Sequence, residues 1–209
     1  MDVELHDGRV PLLRELAEPS VLIGFPADAA GLTCVDLDFH RAGALCVEHL
    51  AERGHREVAL LGAPSVVYER GTGFARRTRE GFTEAVAGHG MTGTALPCEE
   101  GFGEAAETVR LLLETRPGLS ALVVHNEAAV GHVLGALRQY GRRVPEDVAV
   151  VAICPDDIAE RAGPALTSVL VPAEEVGREA VRLLMAKLEG AAVPDATLLA
   201  PRLTVRGST

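Results

Sequence analysis

Ala121-Leu122-Val123-Val124-His125-Asn126-Glu127-Ala128-Ala129-Val130 is the stretch on which the fold turns. Four apolar residues without alternation read as a strand buried on both faces. The polar trio His125-Asn126-Glu127 ends it, and Val130, Val133, Leu134, Leu137 and Tyr140 then recur at helical spacing until Gly141 closes the stripe. A strand that feeds a helix through a short polar turn is half of a βαβ unit.

The same grammar extends in both directions. Upstream, Leu12, Leu13 and Leu16 mark a short helix ended by Pro19, and Val21–Ile23 reads as a buried strand. Phe39, Ala42, Cys46, Val47 and Leu50 form a helical stripe closed by Gly54; Val58–Leu61 is a strand. A helix carrying Phe82, Ala85 and Val86, a strand at Thr94–Pro97, and a helix carrying Ala106, Val109, Leu112 and Leu113 follow. Downstream come strands at Val148–Ile153 and Thr167–Val171, then a helix carrying Val176, Ala180, Leu183, Leu184 and Leu188. Leu198–Val205 is expected as one last strand. Strands alternating with helices of this length predict an α/β fold with mainly parallel sheet covered on both faces.

The chain has 209 residues, 47% hydrophobic and 24% charged, which is the composition of a globular protein with a sizeable core. No apolar run nears the roughly 18 residues that would span a bilayer. A net charge of −10 with no basic stripe beyond Arg76-Arg77-Arg79 makes the chain by itself a poor nucleic-acid binder. Cys34, Cys46, Cys98 and Cys154 include no CxxC pair, and Met1-Asp2-Val3-Glu4 is no secretion signal, so reduced thiols and a cytoplasmic location are expected.

In open parallel sheets ligands sit at the carboxyl ends of the strands. That rule selects the loops Phe25–Asp28, Ala63–Thr72, Glu99–Phe102, His125–Glu127 and Cys154–Asp157. They gather Arg70, Arg76, Arg77, Arg79, Glu99, His125, Asn126, Asp156 and Asp157, a set suited to a small polyhydroxyl or heterocyclic ligand. Sharper chemistry fails on inspection. Gly101-Phe102-Gly103-Glu104-Ala105-Ala106 matches a loose dinucleotide pattern, but Glu99, Glu100 and Glu104 would repel a pyrophosphate. Cys46 and His49 are two ligands and no zinc site, and Cys154 has no recognisable base beside it. No catalytic set, metal site or cofactor is expected.

Three blocks together resemble the effector-binding domain of lactose-repressor (LacI/GalR) family transcription regulators. The first is Val35-Asp36-Leu37-Asp38, continuing through Val47-Glu48-His49-Leu50-Ala51-Glu52-Arg53-Gly54-His55 to Val58–Gly62. The second joins Arg79-Glu80-Gly81-Phe82 to Leu122–Gly131. The third joins Val144–Val151 to Leu166-Thr167-Ser168-Val169. The resemblance covers essentially the whole chain. It implies a periplasmic-binding-protein-like fold of two lobes: residues 1–38 with 170–209, the first lobe expected incomplete, and residues 39–169. Crossings would fall near Asp36–Phe39, Val169–Pro172 and Arg202–Val205.

The resemblance also implies a function. A small effector, a sugar or related polyol, would bind between the lobes of a homodimeric regulator. DNA would be reached only through a headpiece that this chain lacks, and no membrane is involved. A transporter's substrate-binding protein is the alternative on the same fold. Carried over residue by residue, Asn126 takes the place of the family's N-D pair, with Glu127 in place of the aspartate. The usual arginine aligns with Thr78, leaving Arg77 or Arg79 to replace it. The usual aspartate aligns with Cys154, leaving Asp156, and Phe25 stands where an apolar wall meets the ligand. Helix Val176–Leu188 and strand Val21–Ile23, short of partners, predict self-association.

Overall fold

A computed structural model describes residues 3–16 and 18–209; Met1 and Asp2, which open the expected first lobe, lie outside it. Two sheets organise the chain. The larger has six strands in the order β4 (Thr92–Pro97), β3 (Glu57–Gly62), β5 (Ala121–Val124), β6 (Ala149–Cys154), β7 (Thr167–Leu170), β9 (Leu203–Thr204). All pairings are parallel except β7 with β9. The smaller is wholly parallel, β1 (Leu22–Ile23), β2 (Cys34–Leu37), β8 (Ala196–Leu199).

The larger sheet shows why its strands read as unbroken apolar runs. Ala59, Leu61, Leu122, Val124, Val150 and Ala152 face helices α5 (Phe102–Thr115) and α6 (Val130–Gln139), packing on Val109, Leu112, Val133 and Leu137. Their neighbours in sequence, Val58, Leu60, Val123, Val151 and Ile153, face the other way onto Leu50 of α2 (Phe39–Glu52) and Phe82 of α4 (Gly73–Gly88). Side chains alternate as in any strand, but both faces are covered, so both positions are apolar.

Helices α2 and α4 cross closely through two glycines. A Cβ on Gly43 would collide with the Thr78 carbonyl oxygen, and one on Gly81 with that of His40. This contact fixes the rotation of α4. Thr78, Gly81 and Phe82 turn into the interface and core, while Phe74 and Arg77, three residues apart, share another face.

Three expectations are corrected. Ile23 is half exposed rather than buried, because β1 is an edge strand paired only with β2 among the described residues. The run Leu198–Val205 is not one strand: Pro201 lies in a break between β8 in the small sheet and β9 in the large one. Helix α8 (Ala173–Leu188) buries Val176 and Leu183 against Val35, but leaves Leu188 exposed together with Val181 and Met185. Three short helices were not anticipated: α3 (Ser65–Glu69), α7 (Asp156–Arg161), and a single 3-10 turn, Glu127–Ala129. The segment after β9 reaches Ser208, whose buried hydroxyl donates to the Val150 carbonyl at 2.6 Å and accepts the Thr167 amide at 2.8 Å. No helix among the described residues is long and apolar enough to cross a membrane.

Candidate functional site

The carboxyl ends of strands from both sheets converge on one cavity of about 600 Å³. The small sheet contributes Ile23, Gly24 and Phe25 from the end of β1, and Asp36 from β2. The large sheet contributes Ala63 and Pro64 after β3, His125, Asn126 and Glu127 after β5, and Ile153 from β6. Phe74 and Arg77 enter from the exposed turn of α4 set by the glycine crossing. The volume falls within the range of small-molecule sites.

Aromatic rings line much of this cleft. Three of the five phenylalanines, Phe25, Phe39 and Phe74, are on its wall. Phe39, Phe74 and His125 form a triangle with ring centroids 5.5 to 5.7 Å apart. Such a surface offers flat apolar faces to a ring. Burial in this setting pushes the His125 pKa down to about 4, so the imidazole is neutral near pH 7. Its Nδ1 is buried without a hydrogen-bond partner among the described residues.

A charged pair spans the cleft from one sheet to the helix of the other. Arg77 Nη2 donates to Asp36 Oδ2 at 2.6 Å, and Arg77 also lies over the Phe25 ring at 5.5 Å. The Leu37 amide donates to Asp36 Oδ1 at 2.9 Å. Burial raises the Asp36 pKa to about 6 against the opposing pull of Arg77, so the acid is an anion at neutral pH but titrates within reach of it.

Residues 47–209 match a family described as periplasmic binding protein-like domain. The chain belongs to that family. Within it, the chain corresponds to the effector-binding portion of LacI-family regulators. The HTH-type transcriptional regulator CelR of Thermobifida fusca is 33% identical over 99% of this chain and 62% of its own length. The HTH-type transcriptional repressor MelR of Bacillus subtilis (strain 168) is 27% identical over 98% of this chain and 60% of its own. A solved structure described as a transcriptional regulator CelR–cellobiose complex superposes with a TM-score of 0.81 at 30% identity, covering 99% of this chain and 64% of that one. The chain thus spans about three fifths of the length of the curated relatives it matches.

The five predicted site residues divide in the structure. Phe25, Arg77 and Asn126 line the cleft; Arg79 and Asp156 do not. Arg79 is exposed, about 200° round α4 from Arg77, with its guanidinium 4.9 Å above the Tyr68 ring. Thr78, which the resemblance aligns with an arginine, is buried against α2 and donates its hydroxyl to the Phe74 carbonyl at 3.0 Å. Asp156 accepts from Arg206 Nη2 at 2.8 Å, tying α7 to the C-terminal segment. Asn126 reaches the cleft with its amide largely engaged: Nδ2 donates to the Cys98 carbonyl at 2.8 Å and Oδ1 accepts the Ala128 amide at 3.2 Å. Its main work is to shape the loop, a cap to the turn that follows.

Three of the remaining polar candidates also find other roles. Arg70 pairs with Glu4, Asp157 with Arg161, and Glu99 accepts the Ser65 amide at 3.0 Å. Cys154 is buried, and burial pushes its thiol up to about 12, away from the thiolate form. His49 Nε2 bonds Thr209 Oγ1 at 2.9 Å.

Asp36, Phe39 and Phe74 were missed. Phe39 and Phe74 carry no sequence mark that separates a cleft wall from a core face. Asp36 did carry one, since a carboxylate inside an otherwise apolar four-residue strand needs a buried partner.

Proposed function

We propose that the chain is the effector-binding part of a transcriptional regulator and holds a small neutral-ring metabolite, a sugar or related polyol, between its two sheets. The observation that carries this reading is the shared cleft, in which Phe25 and Asp36 of one sheet face Phe74, Arg77 and His125 of the other. A ligand touching both sides favours the closed arrangement over an open one by its differential contacts, which is what a sensor requires. The chain binds and does no chemistry, its relatives being transcriptional regulators. The lobes follow the two sheets, residues 39–169 joined by the C-terminal strand forming one, and the remainder the other. The protein acts in the cytoplasm as a homodimer, with the exposed apolar face of α8 contributing to association. DNA is reached through a headpiece outside this chain.

The CelR–cellobiose complex names the first ligand to try. Isothermal titration with cellobiose, then with glucose and other unmodified mono- and disaccharides, should give saturable one-site binding that Phe74→Ala weakens at least tenfold. An absence of saturable heat across that panel would overturn the sugar reading.

A further inference from the structure

Among the residues lining the cleft, Arg77 is the single cation, and its charge is already matched. Asp36 meets it at 2.6 Å with both groups largely withdrawn from water. His125 is uncharged and adds nothing to either side. At the rim stand the exposed carboxylates of Glu100 and Glu127, with no ion-pair partner among the described residues. The pair cancels, so the field a ligand meets is set by two negative groups.

We propose that Asp36 is a specificity-determining residue: by neutralising Arg77 it restricts the cleft to uncharged hydroxylated ligands and turns away sugar acids and sugar phosphates. This rests on the reading of the cleft as the effector site. An anionic ligand would meet in Arg77 a charge already neutralised, with the Asp36 carboxylate beside it as a second negative group. A hydroxyl meets no such obstacle. Each Asp36 oxygen has one protein donor, Leu37 N–H or Arg77 Nη2–H, and a carboxylate accepts about four, so capacity remains for ligand hydroxyl donors. The acid is thus an acceptor for neutral ligands and a barrier to anions in one group.

Asp36→Asn keeps the size of the side chain and an oxygen for the Leu37 amide while releasing the Arg77 charge. Inorganic phosphate, titrated at pH 7.5 and low salt, is the charge probe. The expected result is that Asp36→Asn binds phosphate at least tenfold more tightly than the unaltered chain, and that adding Arg77→Met abolishes the gain. Asp36→Ala should show the same gain, so the result does not hang on one variant folding. Equal phosphate binding with and without Asp36, or a gain that survives loss of Arg77, would overturn the assignment. Cellobiose titration is the separate arm: its failure strikes the sugar reading, while the phosphate comparison alone decides the role of Asp36.

Discussion

Replacing Arg77 by leucine removes the countercharge that Asp36 has across the cleft, and the cost should depend on pH in a way that packing loss would not. Asp36 is 7% exposed and titrates near pH 6 with Arg77 in place. Because burial holds the folded-state value above the ordinary 3.8, the folded chain binds the proton first as pH falls, and this group disfavours folding progressively as pH rises from about 4 to 6. Without Arg77 the carboxyl rises further, so at pH 8 the variant must bury a lone charge or hold a proton against the solvent. Breaking a fully buried pair costs about 3–5 kcal/mol. Arg77 retains 22% exposure, and about 2–3 kcal/mol is the corresponding expectation at pH 8. At pH 5 Asp36 is mostly protonated in both proteins, leaving about 1 kcal/mol for the lost hydrogen bond and the contact with Phe25. For a chain of 209 residues each kcal/mol moves Tm by about 2–4 °C. Calorimetric melts should therefore show Arg77→Leu lowering Tm by about 4–12 °C at pH 8 and by about 2–4 °C at pH 5, each relative to the unaltered chain. Adding Asp36→Asn should recover most of the loss at pH 8. An equal Tm loss at both pH values, or no recovery in the double variant, would refute the buried-pair argument.

Other consequences follow from the same geometry. His125 is held near 4 by burial against an ordinary 6.5, so the unfolded chain takes its proton first and the fold loses stability as pH drops from about 6.5 to 4. His125→Phe should shift the acid-unfolding midpoint to lower pH, and an unchanged midpoint would remove this group as a cause. Gly81→Ala should cost at least about 3 kcal/mol in urea unfolding, because its Cβ meets the rigid backbone of α2 and no flexible side chain can yield. Gly131→Ala, with open space around it, should change stability by less than about 1 kcal/mol. Ser208→Ala leaves the Val150 carbonyl and Thr167 amide without their buried partner, and a loss of about 1–3 kcal/mol is expected in the same assay.

How much was legible depended on whether a signal was local. Helix α2 was readable because its apolar residues follow helical spacing from Phe39, and Asp38 before it accepts the Arg41 amide at 2.9 Å as a helix cap does. Strand β5 was readable because residues 121–124 are all buried. Helix α7 escaped because Pro155-Asp156-Asp157 reads as loop chemistry, and its single buried residue, Ala159, gives no periodic stripe. The strand break at Pro201 was masked by the apolar residues on either side of it.

The α/β class, most of the alternation of strands and helices, and most of the loops that line the cleft follow from the sequence alone, since hydrophobic period and strand polarity are properties of neighbouring residues. Which side chains enter the cleft was a tertiary decision. Arg77 and Arg79 are two residues apart and chemically identical, yet one enters the cleft and the other lies over Tyr68. That choice is made by the rotation of α4, which Gly43 and Gly81 set through backbone contact between helices that begin more than thirty residues apart. The partner that gives Arg77 its meaning, Asp36, comes from the other sheet, and only folding brings the two within 2.6 Å.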